Sequence, residues 1–380
     1  MRVALVHDWL VTYRGGEKVL AAIAELYPGA DLFTLIHKSG PFPKVLESRP
    51  IHTSFLQRVP GINRRYRYFL PLFPAAVEAL DLRGFDLVIS SSHCVAKGIR
   101  KPEGARHLSY VHAPMRYMWD RFDDYFGKSR ASWVTRAAAH LLRPRLQSWD
   151  RQSSRGVDRF LANSRYVAHK IDCLYGREAF VVPPPVELER FAQVPLEAGG
   201  KGGYFLWVGA LAPYKRLDIA LEAFRRLKLP LWVVGSGQEE ARLRAELPPN
   251  AKMIGQISDE ELSRVYHQAR ALVFTADEDF GIAPLEAQAA GRPVIALRKG
   301  GALETLTSAT ALFFDEQTPE ALEEAVIAFD RWEQDFQPTA ARAQASRFTK
   351  ETFQSRFLEQ VQQLMSAPTA RGQPAPRATA

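Results

Sequence analysis

Two glutamates stand eight positions apart in the sequence Glu278-Asp279-Phe280-Gly281-Ile282-Ala283-Pro284-Leu285-Glu286-Ala287. Glu278 lies in a polar loop after the apolar run Ala271–Phe274, which we predict to be a buried strand. Pro284 suits the first position of a helix, so Glu286 falls near the N-terminus of that helix. Loops at the carboxyl ends of strands line the ligand crevice of an open α/β sheet, and the pattern predicts that both acids face it. On these residues alone, a solvated acidic loop before a helix-start glutamate is the alternative.

Short apolar runs alternate with longer helical stretches along the whole chain, which is the pattern of βαβ units and parallel sheets. The runs form two series, each starting with a strong apolar strand. The first series is Val3–His7, Asp31–Leu35, Leu87–Ser90, His107–Val111, Arg159–Asn163 and Ala179–Val182. The second series is Tyr204–Gly209, Leu231–Gly235, Ala251–Gly255, Ala271–Phe274, Pro293–Ala296 and Ala311–Phe314.

The chain length of 380 residues exceeds what one hydrophobic core usually organises and predicts two domains. A triple proline at 183–185 ends the first series, and the glycine-rich segment Glu197–Gly203 provides a flexible hinge. We therefore predict an α/β protein with two Rossmann-like domains, residues 1–195 and 196–349, whose parallel sheets face a central cleft. Residues 367–380 are rich in proline and alanine and are predicted to be disordered.

Composition narrows the class of protein. Hydrophobic residues make up 46% of the chain and charged residues 24%, which is ordinary for a soluble globular protein. The first ten residues become polar too soon for a signal peptide and are predicted to contain the first strand. The two cysteines, Cys94 and Cys173, have no metal or nucleophile spacing, which favours a reducing cytoplasm over a disulfide framework or a zinc site.

Positive charge is concentrated in the first half of the chain. Residues 1–200 contain 29 Lys and Arg against 19 Asp and Glu, whereas residues 201–380 contain 21 against 23. Such asymmetry indicates a polyanionic partner, and residues 58–73 add aromatic and leucine side chains to the charge, as an interfacial membrane segment does. The basic residues at its centre are Arg64, Arg65 and Arg67. We predict docking on an anionic membrane; the alternative is a segment that buries its aromatics. No nucleic-acid partner is predicted, because no recognition motif accompanies the charge.

Three loops have the composition of phosphate or nucleotide sites. Gly15 and Gly16 lie between the first strand and the first helix, where backbone N–H groups and the helix dipole favour a diphosphate. The loop is not G-x-G-x-x-G, so a dinucleotide cofactor is not predicted, and a plain tight turn is the alternative. Lys215 and Arg216 follow the first strand of the second series, and Gly235 follows the next strand.

The segment His112-Ala113-Pro114-Met115-Arg116-Tyr117-Met118-Trp119-Asp120 follows the strand that ends at Val111. This segment, the glutamate pair and the loop around Lys215 resemble the retaining glycosyltransferases of family four, GT-B-fold enzymes that use nucleotide-sugar donors. The sequence of residues 112–120 is similar to the corresponding segment of mannosyltransferases that build lipid-linked O-antigen and exopolysaccharide repeats. The resemblance implies that residues 350–366 form a helix that crosses back to the first domain.

The resemblance also implies roles for individual residues. Glu286 would bind the ribose hydroxyls and Glu278 the hexose hydroxyls. His112 would lie under the donor sugar and help to stabilise its cation-like transition state, while Lys215 neutralises the diphosphate. The remaining donor-site residues by resemblance are Gly15, Gly16, Arg216, Gly235, Phe280, Gly281 and Ile282.

One position departs from the family pattern. Ala210 stands where family members usually have an arginine that neutralises the diphosphate. Loss of one of two phosphate cations should weaken donor binding or leaving-group stabilisation by about 1–3 kcal/mol. Either Arg216 or a basic residue of the first domain compensates, or the protein is impaired.

The resulting expectation is a retaining glycosyltransferase that needs no metal and no cofactor beyond its donor, GDP-mannose being favoured. The expected acceptor is a lipid-linked saccharide or an oligosaccharide in cell-envelope or exopolysaccharide synthesis. The expected location is cytoplasmic, peripheral at the inner face of the cytoplasmic membrane. The alternatives are a UDP- or ADP-glucose donor in the same reaction, and a catalytically weak donor-binding scaffold of a polysaccharide assembly complex.

Overall fold

The computed structural model describes residues 1–127, 132–192 and 203–368. Within these ranges the chain forms two sheets, and the strand pairings that the structure defines are parallel. The strands are β1 Val3–His7, β2 Asp31–Thr34, β3 Ile51–Thr53, β4 Leu87–Ser92, β5 Arg106–Val111, β6 Arg159–Ala162, β7 Ala179–Val181, β8 Phe205–Val208, β9 Leu231–Val234, β10 Ala251–Gly255, β11 Ala271–Phe274, β12 Val294–Leu297 and β13 Ala311–Phe314.

Helices connect most of the strands, as parallel pairing requires. They are α1 Gly15–Leu26, α2 Lys44–Glu47, α3 Ile62–Arg65, α4 Phe73–Glu78, α5 Phe122–Phe126, α6 Trp133–Ser153, α7 Arg165–Tyr175, α8 Glu189–Ala192, α9 Leu217–Leu227, α10 Glu240–Ala245, α11 Asp259–Gln268, α12 Ile282–Ala289, α13 Ala302–Thr305, α14 Pro319–Trp332, α15 Pro338–Ala345 and α16 Lys350–Ser366. Among the described residues, no helix is both long enough and apolar enough to cross a membrane.

The strand order fixes where ligands can bind. The first sheet has the order β3-β2-β1-β4-β5-β6-β7, and the second has the order β10-β9-β8-β11-β12-β13. In each sheet, the next two strands of the chain lie on one side of the first strand, and all later strands lie on its other side. This is the Rossmann arrangement. The direction reverses between β8 and β11 in the second sheet, so the loops after these two strands flank the crevice at the carboxyl edge.

The chain divides into two compact units. One contains Met1–Tyr110, Trp149–Leu161 and the described residues from Gln354 onward, and the other contains Val111–Ser148 and Ala162–Phe353. This division differs from the predicted boundary at residue 195, which lies outside the described residues, so that boundary stays a prediction. Most of the predicted hinge and of the predicted disordered tail also falls outside them.

Most predicted strands are present within one or two residues of their expected ends. The prediction missed β3, which has three residues and only partly buried side chains, so its apolar signal is weak. The helix expected to start at Pro284 begins at Ile282 instead. Gly281 has a φ of 87° there and forms the N-cap, a left-handed conformation that glycine adopts without strain. Pro284 is tolerated in the first turn because N–H groups there have no intrahelical acceptor.

Candidate functional site

The loops after β8 and β11 are fastened to each other. The Thr275 hydroxyl donates to the backbone carbonyl of Lys215 at 2.8 Å, and the indole N–H of Trp207 donates to the same hydroxyl oxygen at 3.2 Å. Both loops leave neighbouring parallel strands at the reversal point of the second sheet. The structure therefore brings Lys215 next to the acidic loop.

Glu278 and Lys215 form an ion pair at this point. Their side chains are only 14% and 15% exposed, so the pair is shielded from most solvent. Burial lowers the pKa of Lys215 and the nearby charge of Arg116 adds to the lowering, whereas the Asp279 carboxylate opposes it. A cation and a carboxylate thus stand side by side, as a phosphate and a sugar hydroxyl on one ligand would require.

Gly235 follows β9 and packs directly against the loop after β8. Its φ of 139° is unfavourable for other residues, and a Cβ atom there would lie 1.9 Å from the carbonyl oxygen of Gly209. Only glycine permits this close approach of two backbones. The predicted donor-site glycine therefore has a structural requirement in addition to any contact with a ligand.

Glu286, the predicted ribose ligand, has both carboxylate oxygens occupied. One is ion-paired with Arg190 of α8, and the other accepts a hydrogen bond from the Tyr266 hydroxyl at 2.9 Å. Burial raises the pKa of Tyr266 far above its ordinary value, and the Glu286 charge adds to the effect, so the phenol stays a donor. The carboxylate is held in one orientation, one turn inside α12.

Asp279 joins the acidic loop to two other segments. Its side chain is 10% exposed, and its oxygens contact Arg116 Nη2 at 2.6 Å and Lys170 Nζ at 2.8 Å. Lys170 also contacts Asp120 at 2.6 Å. Burial by itself would raise the pKa of Asp279, but the two cations hold it below its ordinary value.

Hydrogen bonds from side chains to backbone carbonyls reinforce the same junction. Ser164 caps α7 by accepting from Val167 N at 3.0 Å, and its hydroxyl donates to the carbonyl of Asp279 at 2.5 Å. Arg121 Nη2 donates to the carbonyl of Asp277 at 2.5 Å. The residue 112–121 segment, the start of α7 and the acidic loop therefore form one connected site within the second unit.

His112 is half-buried in this arrangement. Its backbone carbonyl accepts a hydrogen bond from the Asn163 side-chain amide at 2.9 Å, which fixes the turn after β5.

Two other predicted phosphate contacts stay predictions. Arg216 has a φ of 51° and its guanidinium binds Asp218 at 3.1 Å. Gly15 and Gly16 begin α1 in the first unit, which is described separately from the second.

Phe280 and Ile282 support the loop from behind. The Phe280 side chain is buried with Val186, Leu285 and Phe348, and Ile282 packs against the same cluster. The Phe280 side chain is thus taken up by this cluster, whereas that of Ile282 is only partly buried.

Asp277 and Asp279 are two carboxylates that stand two positions apart in the loop after β11. In this structure Asp279 is paired with Arg116 and Lys170, and Arg121 lies 3.6 Å from the Asp277 carboxylate. Over the described ranges, no group of three or more His, Cys, Asp or Glu side chains is placed to hold a metal ion.

Several residues of the site had no assigned role in the sequence prediction. They are Arg116, Lys170, Asp279, Arg190 and Tyr266. Arg116 and Asp279 both lie inside the quoted motifs, so opposite charges in two motifs of one site were an available signal. Arg190 and Tyr266 lie on α8 and α11, and no local pattern marks them.

Comparisons with known proteins agree with this geometry. Residues 13–190 match the family model described as Glycosyltransferase Family 4, and residues 189–342 match the model described as Glycosyl transferases group 1. Together the two models cover residues 13–342, which contain β2 to β13.

Curated relatives match over shorter stretches. The O-antigen chain mannosyltransferase C of Escherichia coli is 36% identical over 104 residues, which is 26% of this chain and 28% of that protein. A GDP-mannose-dependent monoacylated alpha-(1-6)-phosphatidylinositol monomannoside mannosyltransferase of Corynebacterium glutamicum is 33% identical over 133 residues, 31% of this chain and 35% of that protein. The chain thus spans about a third of the length of these relatives.

Among solved structures, Alr3699/HepE of Anabaena in complex with UDP superposes with a TM-score of 0.70. The alignment covers 96% of this chain and 100% of that chain at 16% identity, so it shows the fold alone. The predicted α/β class with the GT-B fold is confirmed. With both family models in order along the chain and this fold beneath them, the chain belongs to the GT-B glycosyltransferases of the family-4-like type.

Proposed function

We propose that this protein is a retaining, metal-independent glycosyltransferase that moves mannose from GDP-mannose to a lipid-linked or oligosaccharide acceptor. The reaction would serve cell-envelope or exopolysaccharide synthesis at the inner face of the cytoplasmic membrane. The observation that carries the proposal is the Lys215–Glu278 ion pair at the reversal point of the second sheet, one loop before Glu286.

The arrangement matches the chemistry of a nucleotide sugar. Lys215 supplies a positive charge for the diphosphate as charge develops on the leaving group. Glu278 and Glu286 supply carboxylate acceptors for sugar and ribose hydroxyls, which are hydrogen-bond donors. When a donor binds, its phosphate takes over part of the Lys215 interaction and its hydroxyls take over part of the Glu278 interaction.

Retention follows from same-face attack in this proposal. The bond between the anomeric carbon and the phosphate oxygen breaks, the acceptor oxygen bonds to the same face, and the acceptor proton passes to the departing phosphate. Double displacement would need a free carboxylate nucleophile. By resemblance, His112 rather than a carboxylate occupies the place beneath the donor sugar, which favours the first route. His112 would stabilise the cation-like sugar from below.

The donor is inferred from the relatives. Two of them are named as mannosyltransferases, one of which is GDP-mannose-dependent. HepE was solved with UDP, so UDP-glucose or ADP-glucose stays the alternative donor. Ala210 keeps open the second alternative, a catalytically weak donor-binding scaffold.

Arg116 supplies the missing phosphate cation in this proposal. Its guanidinium carbon and Lys215 Nζ lie 5.6 Å and 5.5 Å from the centre of the Tyr214 ring, so both cations flank one side chain. Asp279 binds only Nη2, and over the described residues Nε and Nη1 have no protein acceptor. Arg216, the other candidate, is bound to Asp218.

Membrane docking through residues 58–73 is also part of the proposal. Within this segment Phe73 is buried and Tyr66 packs on Trp9, as the alternative interpretation expected. Tyr68 and Leu72 are nevertheless 83% and 46% exposed, and the three central arginines are exposed as well. The outward side is therefore basic and apolar together, which suits a surface of anionic lipid.

The first prediction concerns the reaction. Incubation of a short water-soluble saccharide acceptor with GDP-mannose, UDP-glucose and ADP-glucose in separate reactions should release GDP from the first, measured by mass spectrometry. Proton NMR of the glycoside formed on the acceptor should show the donor's anomeric configuration. Lys215→Met is the control and should lose release. Nucleotide release from UDP-glucose alone would support the alternative donor. Donor binding without nucleotide release would support the catalytically weak scaffold.

The second prediction concerns Glu286. Glu286→Gln should weaken nucleotide binding in calorimetry by about 1.5–3 kcal/mol, the range for a hydrogen bond to a charged group. Arg190→Gln is the matched control, since it breaks the same ion pair but leaves the carboxylate free for ribose. Equal losses in both variants would mean that Glu286 acts only through Arg190.

The third prediction distinguishes Arg116 from Arg216. Arg116→Gln should weaken GDP binding by about 1.5–3 kcal/mol and leave guanosine binding unchanged, because guanosine has no diphosphate for the guanidinium to bind. Asp279 also loses a partner in this variant but keeps its contact with Lys170. Arg216→Gln should leave both unchanged. Adding Ala210→Arg should restore GDP binding to the Arg116→Gln variant. Normal GDP affinity in a folded Arg116→Gln variant would contradict the assignment.

The fourth prediction uses the pKa of Asp279. Asp279→Asn removes the partner of two cations and should lower the free energy of unfolding by about 3 kcal/mol at neutral pH. Because the folded-state pKa lies below the ordinary 3.8, the contribution is present above that value and is lost as pH falls through the folded pKa. Urea unfolding should show the two proteins converging below pH of about 4. A difference that persists unchanged at pH values well below 3.8 would mean that the charge is not responsible.

The fifth prediction concerns residues 58–73. Replacing Arg64, Arg65 and Arg67 by Ser should cost at most about 3 kcal/mol of binding to anionic vesicles, and less in high salt. The matched control replaces Arg226, Arg244 and Arg264, which pair with glutamates of their own helices, and should change little. Equal losses in both triple variants would show a general charge effect rather than a docking segment.

A further inference from the structure

Helix α6 presents large apolar side chains to solvent. Trp133, Val134 and Leu141 are 78%, 56% and 77% exposed, and Ala137 and Ala138 between them are exposed as well. These positions recur at spacings of three and four, so they lie on one side of the helix. We call Trp133, Val134, Leu141 and the exposed Arg145 the α6 face.

The opposite side of α6 is firmly packed. Ala139 and Leu146 are buried, and the Arg143 guanidinium lies 4.3 Å from the centre of the Phe122 ring. Arg143 Nε and the Gln147 amide both donate to the backbone carbonyl of Met118, at 2.9 Å and 2.8 Å. The exposed apolar side chains therefore stand on an anchored helix rather than on a loose one.

Charge on the described residues of this part of the chain has one sign. Residues 132–149 contain three arginines and no Asp or Glu. Arg145 lies on the α6 face itself, and Arg136 is half-buried at its border. A surface that combines a tryptophan, aliphatic side chains and only positive charge is complementary to anionic headgroups above acyl chains.

We propose that the α6 face docks on an anionic membrane surface, as a contact separate from residues 58–73. Trp133 would lie at headgroup level, Leu141 at the boundary of the acyl chains, and Arg145 on lipid phosphate. Pairing of this face with a second copy would bring two all-basic surfaces together, which charge repulsion disfavours.

The contact has a consequence that rests on the proposed function. Arg143 and Gln147 tie α6 to Met118, within the segment that begins at His112. A membrane that holds α6 therefore also holds the donor-site segment near the plane of a lipid-linked acceptor.

Flotation of the full-length protein with vesicles of phosphatidylethanolamine and phosphatidylglycerol tests the proposal. The double variant Trp133→Ser, Leu141→Ser should lower the partition coefficient by about tenfold or more, because interfacial burial of both side chains is lost. The matched control is Ile327→Ser on α14, where the side chain is 60% exposed, and it should bind as wild type does. Arg145→Ser should lower binding about fivefold, and only with the anionic vesicles.

A second readout locates the contact. Brominated lipids should quench wild-type fluorescence more than that of Trp133→Phe, which keeps an aromatic ring at this position. The proposal would be overturned if the double variant floated with the vesicles as well as wild type does. It would also be overturned if the wild-type protein did not bind the vesicles. A wild-type dimer that the double variant dissociates would assign the face to a second copy instead. Nucleotide release in solution tests the proposed function separately, because it needs no membrane.

Discussion

The pairing of Asp279 with Arg116 and Lys170 holds the candidate site together. Asp279 lies in the loop after β11, Arg116 in the segment after β5 and Lys170 on α7, so one carboxylate joins three parts of the chain. The carboxylate is largely shielded from water, where ion pairs are weakly screened and an unpaired charge is costly. The loop that carries Glu278 consequently has one position relative to the His112 segment, which is the precondition for acting on a single ligand.

The sheet supplies the second constraint. Reversal of strand order between β8 and β11 places two loop ends at one edge, and the Thr275 hydrogen bond to the Lys215 carbonyl fastens them. This explains how a cation and two carboxylates gather without a metal-binding cluster among the described residues. The same arrangement gives a reason why Ala210 can be tolerated. In the proposed function, Arg116 of the His112 segment takes the place of an arginine on the loop after β8.

The sequence predicted what local patterns encode. The apolar runs and the turn residues between them predicted most strands correctly. Two motifs predicted the acidic loop and the His112 segment. Arg116 and Asp279 are 163 positions apart, and no local pattern reports a pairing over such a separation. The partners of Glu286 were missed for the same reason. Arg216 was predicted as a second phosphate cation; in the structure its guanidinium is bound to Asp218, a contact that the sequence prediction did not include. The start of α12 was misplaced because a glycine N-cap outweighed the preference of Pro284.

A crystal structure with a bound nucleoside diphosphate tests the central claim most directly. The account predicts phosphate oxygens within hydrogen-bond distance of Lys215 Nζ and Arg116, ribose hydroxyls on the Glu286 carboxylate, and an unbroken contact between Asp279 and Lys170. A nucleotide bound elsewhere, or one whose phosphates leave Lys215 paired only with Glu278, would contradict it.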